Sequence, residues 1–558
     1  MNTTEHGDSG RTDRDLDESR PSVGCRVVVI GAGLGGLSAA IRLAAAGYRV
    51  AVYEKQSGPG GKAFSERHGA YRFDTGPSLF TLKSVFAQLF EEAGRDIDDY
   101  LDLTPLEKIC NYFWRDGTRT VSYADRTAMA GEFARVFGED PRRVERYLDY
   151  SARIHRITGH LFLEKSLHEW STYFSTGFWS SLVRLHRIDA MRTMDRANRA
   201  FFSTPKLQQF FNRYATYNGS DPYQTPATLN IIPHVEYGLG AWAVEEGIHA
   251  VPLALERLAR ELGVTFHYGA RVRRINSEPA GILRRPVPAR VTGVTVDDGE
   301  IGATSGEETH QAEYAGTTIE VEGSRPGRFV PADVVVSNAD VTPTYEHLLE
   351  DTAAPLYQRY QKLEPSSSGL VFYWGVRYRF PELGLHNIFF SEDYEAEFRQ
   401  IFREGRCPDD PTIYINITSR EGAPGDAPVD GDNWFVLVNA PWDQGQDWNA
   451  EADRTRQIVL DRLSRELGRD VEELIEVESR MLPPDIAART DSHRGSLYGI
   501  SSNTRLAAFL RHPNRSRRYR GLFFVGGSAH PGGGMPLVVL GGKITADLVR
   551  RHYPPETD

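Results

Sequence analysis

At 558 residues the chain is too long for one compact core, and typical domain sizes predict roughly two to four domains. Hydrophobic residues make up 40% and the formal net charge is -11, an ordinary globular composition whose acidity argues against a nucleic-acid partner. The three cysteines, Cys25, Cys110 and Cys407, form no CxxC pair, so neither a disulfide framework nor a zinc site is supported, which fits a reducing cytosol.

Residues 1–23 are polar and charged, almost without large apolar side chains, and are expected to be disordered. They carry no apolar signal-peptide core, and no uninterrupted apolar run of about 18 to 20 residues occurs anywhere in the chain. Neither secretion nor a membrane-spanning helix is indicated, so any membrane contact is expected to be peripheral.

Residues 26–54 carry the strongest signal. An apolar strand (Val27, Val28, Val29, Ile30) runs into Gly31-Ala-Gly33-Leu-Gly35-Gly36 and a small-residue helix that Gly47 ends. Val50 and Val52 then alternate along a second strand that closes on Glu54. In a dinucleotide fingerprint Gly31 permits the tight turn, Gly33 lets the backbone approach a pyrophosphate, and Gly36 lets the helix pack on the sheet. The terminal acid accepts from a ribose hydroxyl.

Two glycine-bearing segments follow, Gly58-Pro-Gly-Gly61-Lys62-Ala63 and Tyr71-Arg-Phe-Asp74-Thr75-Gly76-Pro77, and read as loops passing close to a ligand. From about 85 to 230 the pattern turns helical, with Phe201, Phe202, Phe210, Phe211 and Tyr214 as an aromatic cluster. An amphipathic helix is predicted over 248–262, capped by Gly263, with a strand and its continuation over 264–275. Residues 291–296 alternate into a hairpin elaborated over 299–327, with strand pairing resuming at 317–321. Residues 332–340 read as a fully buried strand with a polar exit at Ser337, Asn338 and Asp340, as in a parallel sheet beside a cofactor. Strands at 370–376, 388–390, 412–417 and 434–439 predict a second sheet. Residues 522–525 return to a strand, followed by the Gly526-Gly527 turn, His530-Pro-Gly-Gly-Gly-Met535-Pro536 and a helix. Gly541 and Gly542 inside that helix cost roughly 1 kcal/mol each relative to alanine, which predicts a close backbone approach. Its N-terminus would stabilise negative charge on a reduced isoalloxazine ring.

Together these blocks resemble the carotenoid desaturase family of the bacterial phytoene desaturase type, within the amine-oxidase-like flavoprotein group. The resemblance covers nearly the whole chain after Val23 and is most specific at 31–63, Phe73-Asp74-Thr75-Gly76-Pro77, Ser337-Asn338-Ala339-Asp340 and 524–536. Residues 214–234 resemble the branch acting on 1-hydroxycarotenoids more than the branch acting on phytoene. The family commonly has arginine where this chain has Lys62, a cation without the planar fork, and the hairpin at 299–327 is longer than usual.

The expected fold class is α/β: a doubly wound, Rossmann-like FAD-binding domain discontinuous in sequence, an α+β substrate domain and a helical membrane-facing layer. The expected division is a tail over 1–23, FAD-binding parts over 24–95, 236–340 and 481–558, the helical region over 96–235 and the substrate sheet over 341–480. The resemblance implies FAD contacts from Gly31, Gly33, Gly36, Glu54, Lys62, Gly76, Pro77, Val272, Gly526, Gly534, Met535 and Pro536. It also implies a carotenoid substrate and no nicotinamide, with oxygen or a quinone as electron acceptor and a cytoplasmic protein on the inner face of the membrane.

A polyene offers almost nothing to hydrogen-bond, so its affinity must come from apolar burial, on the order of 25 cal/mol per Å2, in a long apolar tunnel. Desaturation is expected as hydride transfer from an allylic carbon to flavin and proton loss from its neighbour to a base or water. The sequence names no base. His234, Glu236 and Tyr237 either line a pocket or play a structural role, and His530 is expected to hold the flavin turn. Trp170, Tyr173, Phe174, Phe178, Trp179, Leu182 and Leu185, with Arg184, Arg187 and Arg192, suit either an interfacial segment or a helix core. The alternatives are a phytoene desaturase, an amine or porphyrinogen oxidase on the same scaffold, and a prenyl-chain binder that has lost its flavin.

Overall fold

A computed structural model of the chain describes residues 24–159, 188–279, 288–297, 327–504 and 511–555. The tail over 1–23, most of the 299–327 hairpin with its strand at 317–321, and the aromatic stripe from Trp170 to Arg187 lie outside the described residues. Arg192, at the end of that stripe, pairs with Asp189.

The cofactor-type sheet is built from chain segments hundreds of residues apart. β1 (Arg26–Ile30) leads through α1 (Leu34–Ala45) to β2 (Arg49–Tyr53). After α2 (Ala250–Glu261) come β3 (Thr265–His267), β4 (Val334–Ser337), β5 (Leu522–Phe524) and α3 (Met535–His552). The five strands lie in the order β3-β2-β1-β4-β5, all parallel, with Val27 opposite Val334 and Val335 opposite Leu522. Val334, Val335 and Val336 are fully buried, which is why β4 reads as a continuous apolar run rather than an alternating one. α1, α2 and α3 cover one face of this sheet with Leu37, Leu43, Leu255, Leu258 and Val539 in a single core.

A β-carbon on Gly36 would stand 2.2 Å from the Gly31 carbonyl oxygen, so α1 starts hard against its own strand only because that position is glycine. The close approach predicted at Gly541 and Gly542 is made at Gly542, where α3 meets α1 and the Ser38 hydroxyl donates to the Val539 carbonyl at 2.7 Å; Gly541 faces the His530-Pro531 loop at ordinary contact distance.

The strand expected over 264–275 is two strands in two sheets. β3 joins the parallel sheet, Gly269 turns the chain at φ +63°, and Val272–Glu278 pairs antiparallel with Ala289–Val296. Ala289–Val296 in turn pairs with Arg328–Pro331.

The second sheet, the expected substrate sheet, has seven strands in the order Ile475–Met481, Ser368–Val376, Asp432–Ala440, Ile413–Asn416, His386–Phe389, Lys108–Phe113 and Arg119–Tyr123. Its last two strands fall in the stretch expected to be helical. Their apolar residues alternate over too few positions to stand out against neighbouring charged residues, and pairing of Lys108–Phe113 with His386–Phe389 supplies the missing hydrogen bonds. The stretch opens on a helix at Lys83–Glu92, and beyond the two strands helices run at Arg126–Phe137, Pro141–Thr158, Met194–Phe201, Pro205–Asn212 and Ile232–Tyr237. The predicted aromatic cluster is their core, with Phe202 stacked on Phe211 at 4.7 Å between ring centres. No described helix is long and apolar enough to cross a membrane.

Candidate active site

One cavity runs from the carboxyl ends of β1, β2 and β4 to the underside of the substrate sheet. Of the predicted site residues, Gly31, Gly33, Glu54, Lys62, Gly76, Pro77, Val272, Gly526, Gly534, Met535 and Pro536 line it. Gly36 does not: it sits behind the wall, where its missing side chain serves helix packing.

The cofactor end has the chemistry a flavin dinucleotide requires. α1 starts at Gly33 and α3 at Gly534 without a side-chain cap, so two helix N-termini of 12- and 18-residue helices meet the same cavity with bare N–H groups. A β-carbon on Gly33 would come within 2.7 Å of Asn338 Nδ2, one on Gly35 within 2.9 Å of Asn338 Oδ1 and one on Gly526 within 3.1 Å of the same oxygen. The Asn338 amide thus packs the glycine turn against the C-terminal turn. Glu54 is buried, one carboxylate oxygen accepting the Ala32 N–H at 2.7 Å and the other the Gln56 N–H at 2.9 Å. Its position at the end of β2 is therefore fixed by backbone alone. These features fit FAD.

Lys62 lines the cavity, yet its ammonium is committed elsewhere than the sequence suggests. Nζ donates to the carbonyls of Ser496 at 3.1 Å and Leu497 at 2.8 Å, tying that loop to the Gly60-Gly61 turn. Burial lowers its pKa to about 8. Asp74, two residues before Gly76, accepts the N–H groups of Ile248 at 2.7 Å and His249 at 3.3 Å and pairs with Arg72 at 3.1 Å. The Phe73-Asp74-Thr75-Gly76-Pro77 block is thus an anchor for the start of α2 as much as a cavity wall. Burial raises the Asp74 pKa, against the opposing pull of Arg72 and those two N–H groups.

The far end is largely apolar, with Leu79, Ile109, Val371, Ile388, Phe435 and Leu437 in its lining. Set into that wall is a buried polar group that sequence reasoning located only in part. Glu236 lines the cavity, whereas neighbouring His234 stands beside His155 with its pKa lowered to about 4, chiefly by burial. Glu236 Oε1 accepts from Arg213 Nη2 at 3.3 Å and the Tyr214 hydroxyl at 2.9 Å, and Oε2 from the Tyr217 hydroxyl at 2.7 Å. The Tyr214 and Tyr237 hydroxyls are bonded to each other at 2.6 Å. Arg213, His386 and Tyr414 also line the cavity and were not anticipated. The signal for Arg213 was its place within an aromatic run, Phe210-Phe211-Asn-Arg213-Tyr214, where a charge has to be paired or paid for. His530 is buried and lies outside the lining, its carbonyl accepting from Asn514 Nδ2 at 2.7 Å.

The sequence profile described as flavin containing amine oxidoreductase matches residues 34–550. The chain is 42% identical over 524 residues to a 1-hydroxycarotenoid 3,4-desaturase from Flavobacterium sp., covering 94% of this chain and 99% of that protein. It is 35% identical over 524 residues to a 4,4'-diaponeurosporene oxygenase from Staphylococcus aureus, covering 94% and 97%. Among solved structures, an oxidoreductase from Methanosarcina mazei superposes with a TM-score of 0.57 at 16% identity, over 93% of this chain and 98% of that one, a likeness of fold. The chain therefore belongs to the flavin-containing amine oxidoreductase family and, within it, to the carotenoid desaturases.

Proposed function

We propose that this FAD-dependent oxidoreductase is a 1-hydroxycarotenoid 3,4-desaturase, introducing a C=C bond near the hydroxylated end of a long polyene. The observation that carries the reading is the continuity of one cavity between the fingerprint turn and the apolar chamber under the substrate sheet. The 42% identity to a protein of that activity, over nearly the full length of both chains, points the same way.

Bound FAD supplies the two-electron acceptor for a hydride leaving the substrate. The chain's own residues do the positioning. Glu54, fixed by the N–H groups of Ala32 and Gln56, would hold the ribose with its carboxylate, and the bare N-termini of α1 and α3 would supply positive potential for the pyrophosphate and the ring. The apolar wall around Ile109, Ile388 and Phe435 holds the polyene by taking its apolar surface out of water, about 25 cal/mol for each Å2 removed. The proton lost from the neighbouring carbon would pass to a base or to water, and oxygen or a quinone would serve as the final electron acceptor. Substrate of this kind arrives from a bilayer, and peripheral contact with the inner face of the membrane is part of the proposal.

The rival readings gain less support. A prenyl-chain binder without flavin would have no use for the Asn338-packed glycine cradle, and against the amine-oxidase reading, which the family profile leaves open, stands the 42% identity to a carotenoid desaturase.

The test is expression in bacteria that accumulate either phytoene or an acyclic 1-hydroxycarotenoid, with pigments read by chromatography and absorption. The hydroxylated substrate should gain one conjugated double bond and shift to the red. Conversion of phytoene alone would move the chain to the other branch, and unchanged pigments beside a flavin-loaded protein would end the proposal.

A further inference from the structure

The turn that leads into α3 rests on a buried positive charge held by neutral groups. Arg511 is only 2% exposed. Its Nη1 donates to the carbonyls of Tyr498 at 2.8 Å and Gly527 at 3.0 Å, and its Nη2 to Asn218 Oδ1 at 3.0 Å and the Ile500 carbonyl at 3.4 Å. All four Nη hydrogens therefore go to uncharged oxygens. The loop ahead of α3 lies on the same guanidinium: a β-carbon on Gly532 would stand 2.7 Å from Nε and 2.9 Å from Cζ. Burial lowers the Arg511 pKa, and the Tyr360 phenol, not a carboxylate, is the described group that opposes this.

A guanidinium keeps its proton in a protein, and a buried charge calls for a partner of opposite sign. Tyr498 and Gly527, whose carbonyls hold Nη1, both line the cofactor cavity, so the charge lies about one peptide group behind its wall. The uncapped N-terminus of α3 opens at Gly534 on that wall, with no acidic residue in its first turn. Two sources of positive potential thus meet at one end of the cavity, in surroundings where water screens them little. A negative charge placed there is stabilised by both.

FAD offers two such charges. Its pyrophosphate is negative in both redox states, and the glycine turn at Gly31–Gly36 with the N-terminus of α1 already provides for it. Its isoalloxazine ring gains negative charge only on reduction. We propose that Arg511 sets the reduction potential of the bound flavin, its fixed charge behind the Gly527 and Gly532 backbone favouring the reduced ring over the oxidised one. Arg511 acts through that backbone and the field it carries, as a positioning residue. A higher potential suits an enzyme that must draw a hydride from a hydrocarbon. The inference concerns the FAD-loaded chain alone and holds whichever polyene is oxidised.

The experiment measures the reduction potential of the FAD-loaded chain without substrate, by reductive titration against a reference dye, together with the dissociation constant of oxidised FAD. In Arg511→Gln, reduced FAD should bind at least about tenfold more weakly relative to oxidised FAD, a fall of about 30 mV for a two-electron couple. Asn218→Asp is the independent variant. It sets a carboxylate of the same shape against Arg511 Nη2, and the Ser502 hydroxyl, which accepts from the Asn218 amide, can turn to donate. One variant takes a fork out of the fold and the other adds an ion pair to it, so a fall in potential common to both reports charge and not packing. If Arg511→Gln fails to hold FAD, Asn218→Asp decides alone. An unchanged potential in Asn218→Asp overturns the inference. So does weaker binding of oxidised FAD at an unchanged potential, which would assign the charge to the pyrophosphate.

Discussion

A β-carbon on Gly542 would stand 2.2 Å from the Ser38 hydroxyl oxygen and 2.9 Å from the Ala39 nitrogen. α3 and α1 therefore cross with their backbones in contact, and the Ser38 hydroxyl, already donating to Val539 and accepting from Arg42, has no freedom to withdraw. Gly542→Ala should destabilise the protein by about 1–3 kcal/mol through overpacking, despite alanine's better helix propensity. Chemical denaturation measures this; a variant as stable as the parent would mean that the two helices separate at little cost.

Glu54→Gln tests the cofactor end. The carboxylate accepts one backbone N–H on each oxygen, and an amide necessarily turns an NH2 toward one of them. The variant should bind FAD at least about tenfold more weakly, read by quenching of flavin fluorescence on titration into the apoprotein. An unaltered dissociation constant would remove Glu54 from the cofactor contacts.

The parts of this molecule legible in the sequence are those in which neighbours in the chain are neighbours in space. β1, its turn, α1 and β2 are one continuous stretch, and the glycines at 31, 33 and 36 state their own geometry. Arg213, Glu236, His386 and Tyr414 come from four elements, and each alone resembles a paired core residue. Only the pairing of His386–Phe389 with Ile413–Asn416, and the packing of that sheet over the helices, brings them to one wall. Lys108–Phe113 escaped notice for a related reason: it pairs on one side with the short Arg119–Tyr123, but what seats that hairpin in the sheet is a strand more than 270 residues further on, with Asn111 opposite Asn387. The glycines at 541 and 542 announced a close approach, while only the fold says that it is Gly542 that makes it, and to Ser38.

Glu397 carries a pH dependence with a definite sign. It is buried beneath the substrate sheet, accepting from Thr412 Oγ1 at 2.7 Å and Ser391 Oγ at 2.8 Å, and burial pushes its pKa from the usual 4.5 up to about 7, against those hydrogen bonds. Between these values the native state holds a proton that the unfolded chain has released. Stability should fall by about 3 kcal/mol as pH rises from 4.5 to 7, and this contribution is level on either side. Urea midpoints across that range should show the slope in the parent and lose it in Glu397→Gln; identical slopes would place the titration elsewhere.

Asp74 joins the two halves of the fold, and its replacement should be felt in both. Its carboxylate holds the N–H groups of Ile248 and His249 ahead of α2, while Arg72 bridges it to Asp426 at 3.0 Å beside the substrate sheet. Asp74→Ala leaves two backbone donors without their acceptor in a region where Asp74 itself is only 4% exposed, a loss of about 3 kcal/mol in global stability. Because the adjoining Gly76 and Pro77 line the cavity, the same variant should release FAD more readily at a fixed denaturant concentration below the unfolding midpoint. Asp74→Asn keeps one acceptor and should recover part of both effects. Equal flavin retention in all three proteins would show that the 73–77 block serves the fold alone and that its contact with the cofactor cavity is incidental.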